Sequence, residues 1–248
     1  MHSLHTLVIS SKVLYLGISN TPAWVVSKAN EYARNNSLTP FVVYQGQWSA
    51  AERDIEREII PMCDGEGMAV APFSTLGSGY FKTAAQRAAL ATTRKDGRNV
   101  PFIDSPSKVV VAETLERVAV AKGTSITSVA MAYIMHKAPY VFPILGGRTT
   151  EQLNSNIQAL GLKLSQEQMN EIDAAVPFNF GYPQTFLGGA GGAVSPDDVW
   201  MTQKFGRFDW VQKPRVSCRS NSTCSFFFLL TPLKPIEPRE IRSECGVN

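Results

Sequence analysis

Four short polar sets recur along the sequence, and each carries groups that can bind a ligand. They are Ser19-Asn20, Gln45-Gly46-Gln47-Trp48, Phe73-Ser74-Thr75-Leu76-Gly77-Ser78 and Gly146-Gly147-Arg148-Thr149. Hydroxyl and amide groups such as those of Ser19, Asn20 and Gln45 suit a carboxamide, which both donates and accepts hydrogen bonds. An aromatic side chain suits a flat ring, and glycines leave backbone N–H groups open to close approach. A guanidinium beside a helix start suits a phosphate, because its fork of donors adds to the positive end of the helix. Each feature also has a plain structural reading: Ser19 and Asn20 as caps of the next helix, Gln45 as a turn residue, Phe73 as core, Arg148 as a solvated helix-start residue. Position favours binding, since all four sets follow apolar runs, in order along the chain.

Those runs alternate with helical patterns. Residues 13–18 predict a strand; Pro22 then stands where a helix can begin, and AWVVSKANEYAR keeps Trp24, Val25, Ala29 and Tyr32 largely on one face. FVVYQ predicts a second strand, and residues 52–63 its helix, with Ile55, Ile59 and Met62 at three- and four-residue spacing. MAVAPF predicts a third strand. Residues 80–106 read as an irregular, basic surface loop, followed by helices over 107–122 and 125–137. VFPIL predicts a fourth strand, TTEQLNSNIQAL the helix after it, and SQEQMNEIDAAV, capped by Ser165, the last helix.

Strands alternating with helices of this length indicate α/β construction around a parallel sheet. A doubly wound sheet and a (β/α)8 barrel both fit. A complete barrel takes about 250 residues for eight units, and only four units are counted here. In either architecture ligands bind beyond the carboxyl ends of the strands, where the four sets fall. After Pro177 the pattern fades. Residues 181–198 read as a glycine-rich loop, 205–214 as an aromatic and basic stretch, and 215–248 as an unpatterned tail holding the apolar run SFFFLLTPL, an aggregation liability. The expected segments are 1–176, 177–214 and 215–248.

Composition narrows the function classes. The chain has 248 residues, 44% hydrophobic and 18% charged, as one globular domain would. Its net charge of +3 is dispersed, so nucleic-acid binding is not expected. Cys63, Cys218, Cys224 and Cys245 form no CxxC pair and no ligand spacing with the histidines, so no metal is expected. No apolar run approaches the roughly 20 residues that span a bilayer. The start lacks the features of a signal peptide. No membrane and a cytoplasmic location are the expectations.

The segments KVLYLGISNTPAWVVSKAN, TPFVVYQGQWSAAERDIEREIIPMC, GMAVAPFSTLGSGYF, VFPILGGRTTEQLNSNIQAL and FDWVQKP resemble the aldo-keto reductase superfamily, specifically its fungal branch of aryl-alcohol dehydrogenases and norsolorinic-acid-reductase-like enzymes of secondary metabolism. The likeness runs over roughly residues 1–214. It implies a TIM barrel that binds NADP(H) in an extended form and reduces aldehydes or ketones by hydride transfer. It implies that Ser19, Asn20 and Gln45 hold the nicotinamide carboxamide and that Phe73 stacks on the ring. Ser74, Leu76 and Ser78 would line the pyrophosphate. Gly146, Arg148, Gln152 and Asn156 fall in the segment that holds the adenosine and its 2′-phosphate, with Arg148 favouring NADP over NAD.

In that family a tyrosine acts as general acid, assisted by a lysine, an aspartate and a histidine from the first half of the barrel. The resemblance places the start of this chain before the fifth strand, giving a partial barrel of about four C-terminal βα units. Tyr15 and Tyr44 lie inside predicted strands, Tyr80 has no obvious lysine partner, and His136 lies near a helix end. No acid set can be assembled at the strand ends, so no catalytic residue is named. The expectation is an NADP-dependent reductase of a small carbonyl substrate, polyketide, terpenoid or aryl, with its catalytic half missing here. The alternative is an inactive remnant or a nucleotide-binding half-barrel module. Half a barrel exposes strand edges, so self-association through them is expected.

Overall fold

The apolar runs pair side by side and in one direction. In the computed structural model, which describes residues 1–92, 106–189 and 199–205, β1 (Leu16–Ser19), β2 (Phe41–Gln45) and β3 (Ala69–Val70) form a parallel sheet in the order β1-β2-β3. The fourth predicted strand continues it. Val141 bridges Val70, and the N–H groups of Val70, Phe142 and Ile144 donate to the carbonyls of Tyr140, Val70 and Pro72 at 3.0, 2.8 and 2.8 Å. Pro72 and Pro143 have no N–H to give, which cuts both runs shorter as regular ladder than their apolar length suggests.

The register sorts the side chains. Ile18, Tyr44, Val70 and Val141 form one row across the sheet. The last three are buried, and the row faces the helices. Because side chains alternate, the neighbouring rows, Gly17-Val43-Ala69 and Ser19-Gln45-Ala71-Phe142, face away from them.

Helix α1 (His2–Ile9) leads into β1, and α2 (Ala23–Asn35) follows it over the range expected. The buried Asn30 of α2 holds the start of β2. Its amide donates to Phe41 O at 3.1 Å and accepts the Phe41 N–H at 2.9 Å. The predicted helix over 52–63 is a correction: a short 3-10 turn (Asp54–Glu56) precedes α3 (Ile59–Glu66). Pro61 explains the break, since it is tolerated in a first turn and not in a helix interior. A second correction concerns residues 80–106, where α4 (Ala84–Thr92) forms. Thr83 Oγ1 accepts the Gln86 N–H at 3.2 Å and Gln86 Oε1 accepts the Thr83 N–H at 3.1 Å, a capping box ahead of an alanine-rich run.

Helices α5 (Pro106–Lys122), α6 (Ile126–Lys137), α7 (Thr150–Ala159) and α8 (Gln166–Ala175) lie close to their predicted bounds, with Ser125, Thr149 and Ser165 as side-chain caps. The glycine-rich loop expected over 181–198 begins with a short helix, α9 (Gln184–Gly188), and α10 (Trp200–Phe205) follows the undescribed 190–198. The expected tail over 215–248 lies outside the described residues.

Two cations and two carboxylates join the loop after β2 to α6 and α8. Arg53 reaches Glu56 at 2.8 Å and Asp173 at 3.1 Å, and Lys137 reaches Asp173 at 3.0 Å and Glu56 at 3.4 Å. Trp48, fully buried, donates its indole N–H to Glu56 at 2.9 Å. Removing one member of such a cluster leaves a charge without its partner. Glu56→Ala is therefore expected to cost about 3–5 kcal/mol in urea denaturation. A cost below 1 kcal/mol would make the cluster incidental.

A second ion pair links α2 to α3. The guanidinium of Arg34, 2.6 Å from Glu66, holds that carboxyl below its usual value by hydrogen bonding. A lowered folded pKa makes this contribution full above the unfolded glutamate value of about 4.3 and lost as pH falls through the folded value. Glu66→Gln is expected to flatten the acid limb of stability against pH and leave neutral stability nearly unchanged, because Arg34 is exposed.

Candidate functional site at the strand ends

Each strand end is fixed by its neighbour. Ser19 lies opposite Gln45 in the β1–β2 register, and the Asn20 N–H donates to the Gln45 carbonyl at 3.1 Å. Asn20 has φ +51°, a left-handed conformation that asparagine tolerates, and so ends β1 in a sharp turn. The Tyr44 hydroxyl holds that turn, donating to Thr21 O at 2.9 Å and accepting the Thr21 N–H at 3.1 Å. Burial pushes the Tyr44 phenol up, and its two hydrogen bonds to Thr21 commit it to bracing the turn. Sequence reasoning placed Tyr44 in a strand and missed this role. Alternation was the available signal, since it sets Tyr44 on the face opposite Gln45.

Ser19 and Asn20 are not helix caps. Pro22 occupies the N-cap of α2, with no side-chain hydrogen bond. Among the described residues no hydrogen bond engages the side chains of Ser19, Asn20 or Gln45, and all three are at least partly exposed. Their donors and acceptors stand open at adjoining strand ends.

Phe73 adjoins this group. It bridges Gln47 and donates its N–H to Gly46 O at 2.9 Å, with its side chain half-buried. The loop beyond it runs through left-handed Ser74 and Ser78 at φ +59° and +55°, with the Ser78 hydroxyl donating to that of Ser74 at 3.0 Å. Gly77 is required in this loop: its φ is +64°, and a Cβ there would lie 2.9 Å from the Phe81 ring. Leu76 packs its side chain against the core. Thr75, part of the third set but given no role from the sequence, is buried with no hydrogen-bond partner for its hydroxyl among the described residues.

The fourth set follows the Ile144–Pro72 hydrogen bond, which brings the chain beyond Leu145 alongside Phe73. Gly146 is open, and a Cβ there would meet nothing within 4 Å. Thr149 accepts the Gln152 N–H at 3.3 Å as cap of α7, and Gln152 Oε1 accepts the Arg148 N–H at 2.7 Å. Gln152 and Asn156, four residues apart in α7, share one side of that helix, and Arg148 immediately precedes its cap Thr149. The four sets thus lie in strand order along one edge of the sheet. The aromatic Trp48 of the second set is withdrawn into the core.

Among the described residues no proton donor joins them. The structure does assemble a tyrosine, a lysine and an aspartate, which sequence reasoning missed because they lie on two helices. Tyr133 donates to Asp173 Oδ1, and Lys137 Nζ lies 3.0 Å from the same oxygen and 5.5 Å from the Tyr133 ring centroid. Yet Tyr133 is fully buried, and burial, aided by Glu56 and Asp173, drives its phenol far above the ordinary value. That is the reverse of a tuned acid. The buried Cys63 is likewise inert, its thiol pushed up to about 12. Among the described residues no group of three or more His, Cys, Asp and Glu could hold a metal, and no single helix is long and apolar enough to cross a membrane. A cavity of about 610 Å³ between the α5–α6 turn and the end of α7 touches none of the strand-end sets. It is open to solvent, and the convergent groups at the strand ends are the better candidate site.

The chain is 50% identical over 226 residues to norsolorinic acid reductase B of Dothistroma septosporum, covering 87% of this chain and 56% of the relative. It is 50% identical over 193 residues to an aryl-alcohol dehydrogenase [NADP(+)] of Phanerodontia chrysosporium, covering 76% of this chain and 50% of that one. The chain therefore spans about half the length of these relatives. Among solved structures, a thermostable aldo-keto reductase in complex with the inhibitor epalrestat superposes with a TM-score of 0.51 at 23% identity, covering 71% of this chain and 53% of that one, which supports the TIM-barrel type of fold. Residues 1–177 match the aldo/keto reductase family as a whole. With a parallel sheet flanked by helices and half-identical relatives across most of its length, the chain belongs to the aldo/keto reductase family.

Proposed function

We propose that this chain is the cofactor-binding part of an NADP(H)-dependent carbonyl reductase, built as about four C-terminal βα units of a TIM-type barrel. The observation that carries the reading is the pairing of Ser19 with Gln45, which places three open hydroxyl and amide side chains at adjoining strand ends. This donor set fits a nicotinamide carboxamide. Ser19, Asn20 and Gln45 hold the carboxamide and so fix the orientation of the ring, and Phe73 covers one ring face. Ser74, Ser78 and the backbone at Leu76 meet the pyrophosphate. The open space at Gly146 admits the adenosine half, and Arg148, with Gln152 and Asn156, meets the 2′-phosphate. When bound, the cofactor supplies hydride to a carbonyl carbon. The proton for the carbonyl oxygen comes from residues outside this chain, since the Tyr133 hydroxyl is buried and committed to Asp173.

The substrate is an aryl or polyketide-type carbonyl compound of fungal secondary metabolism. The names of the Dothistroma and Phanerodontia relatives support that choice, and the latter supports NADP.

Nicotinamide fluorescence titration tests the site. The chain is expected to bind NADPH more tightly than NADH, and Arg148→Ala to weaken NADPH binding about tenfold or more, the 1.4 kcal/mol or greater typical of a charge-assisted contact, while leaving NADH unchanged. Equal loss for both cofactors would remove Arg148 from the 2′-phosphate. Gly146→Ala is expected to weaken NADPH binding without moving the denaturation midpoint, because its Cβ meets no protein atom. Oxidation of NADPH by the purified chain with an aromatic aldehyde, at ordinary enzyme rates, would show that the proton donor lies within it.

A further inference from the structure

Thr75 is an exception inside a loop that is otherwise well tied. On one side Phe73 is held twice, its N–H donating to Gly46 O at 2.9 Å and its carbonyl accepting the Trp48 N–H at 3.1 Å. On the other side Gly77 donates its N–H to Ser74 O at 2.8 Å and packs against the Phe81 ring. Between these anchors the Ser78 hydroxyl gives its proton to that of Ser74, at 3.0 Å, and both serines hold left-handed φ values of +59° and +55°, which residues other than glycine adopt at a cost. The Thr75 hydroxyl has no partner although the residue is only 1% exposed, so its burial is complete within this chain. Among the described residues the backbone N–H groups of Thr75 and Leu76 also make no hydrogen bond. Two consecutive residues thus carry three donors without an acceptor. Buried polar groups are nearly always paired, and donors left over suit an anion, which only accepts.

We propose that Thr75 is a further cofactor-binding residue, whose hydroxyl is orphaned in this form of the loop and turns to donate to the cofactor pyrophosphate. The proposal rests on the reading of the strand-end site given above and adds to it a residue and a conformational cost. Threonine carries its hydroxyl and methyl on one Cβ, so a turn about χ1 exchanges the two. Ser78 has a single proton to give, and giving it to a phosphate oxygen unties it from Ser74. That frees the short segment between the anchors at Phe73 and Gly77 while the anchors themselves stay. The orphaned hydroxyl therefore penalises one form of the loop and contributes in the other. Removing it must move stability and binding in opposite directions, because a ligand favours the form in which it makes the additional contact.

Thermal denaturation and nicotinamide fluorescence titration of the purified full chain carrying Thr75→Val, which keeps the shape and removes the hydroxyl, test this. Without nucleotide the melting temperature is expected to rise by about 2–4 °C, the effect of relieving one buried unpaired group. NADPH and NADH are both expected to bind about tenfold more weakly, since they share the pyrophosphate, whereas Arg148→Ala separates them. Thr75→Ser, which keeps the hydroxyl, is expected to restore most of the affinity. A melting temperature lowered by Thr75→Val would show that the hydroxyl is already hydrogen-bonded, through a buried water, and would overturn the proposal. Unchanged affinity for both nucleotides in Thr75→Val would overturn it while leaving the strand-end site standing. Failure of the parent chain to bind either nucleotide would remove the site and the proposal together.

Discussion

The parallel register between β1 and β2 governs the site. Because side chains alternate along a strand, a slip of one residue would turn Ser19 and Gln45 toward the helices and bring Ile18 and Tyr44 to the open face. Burial of Tyr44, Val70 and Val141 prevents the slip, since exposing them would forfeit roughly 1.5–3 kcal/mol for each large apolar side chain. Polar contacts then lock what burial selects. Asn30 takes both backbone groups of Phe41, and the Tyr44 hydroxyl takes both backbone groups of Thr21. The positions of the binding side chains are thus consequences of core packing on the other face of the same strands.

The ion cluster shows how environment, and not residue type, decides chemistry. Tyrosine, lysine and aspartate meet at Tyr133, Lys137 and Asp173, the same types that make a general acid in this family. Here two carboxylates and two cations balance, so the cluster is neutral as a whole and its desolvation is offset by several short hydrogen bonds. Inside it the phenol donates to a carboxylate and holds its proton more tightly than free tyrosine does. The cluster also holds Trp48, through Glu56, three residues beyond Gln45. Its work is mechanical: it pins the loop that leaves β2 to the two helices behind it.

The strand-end sets were readable because apolar runs show where strands stop, and parallel α/β folds put ligands there. Helices α2 and α5–α8 were readable from periodicity and from the caps at Ser125 and Ser165. Helix α4 was hidden because AAQRAALAT lacks an apolar stripe, although Thr83 and Gln86 already spelled a capping box. The break before α3 was hidden by regular spacing at Ile55, Ile59 and Met62, with Pro61 as the overlooked signal. Contacts such as Tyr133 with Asp173 join residues 40 apart, and no local pattern records them. Which side of a strand-end residue meets its neighbour is likewise a matter of register, which periodicity does not fix.

The bare face and the site are two results of one geometry. The helices cover the side of the sheet that carries Tyr44, Val70 and Val141, so the row of Ser19 and Gln45 opens onto the same space as Phe142. Near the strand ends that space is lined by hydroxyls, amides and glycines, and deeper it is lined by apolar side chains. A polar rim over an apolar floor suits a flat ring carrying a carboxamide, provided the floor is kept dry. Gly17 belongs to that design. A Cβ there would lie 2.8 Å from Val43 Cγ1, so glycine lets Val43 pack close against β1 and keeps the floor low beneath Ser19.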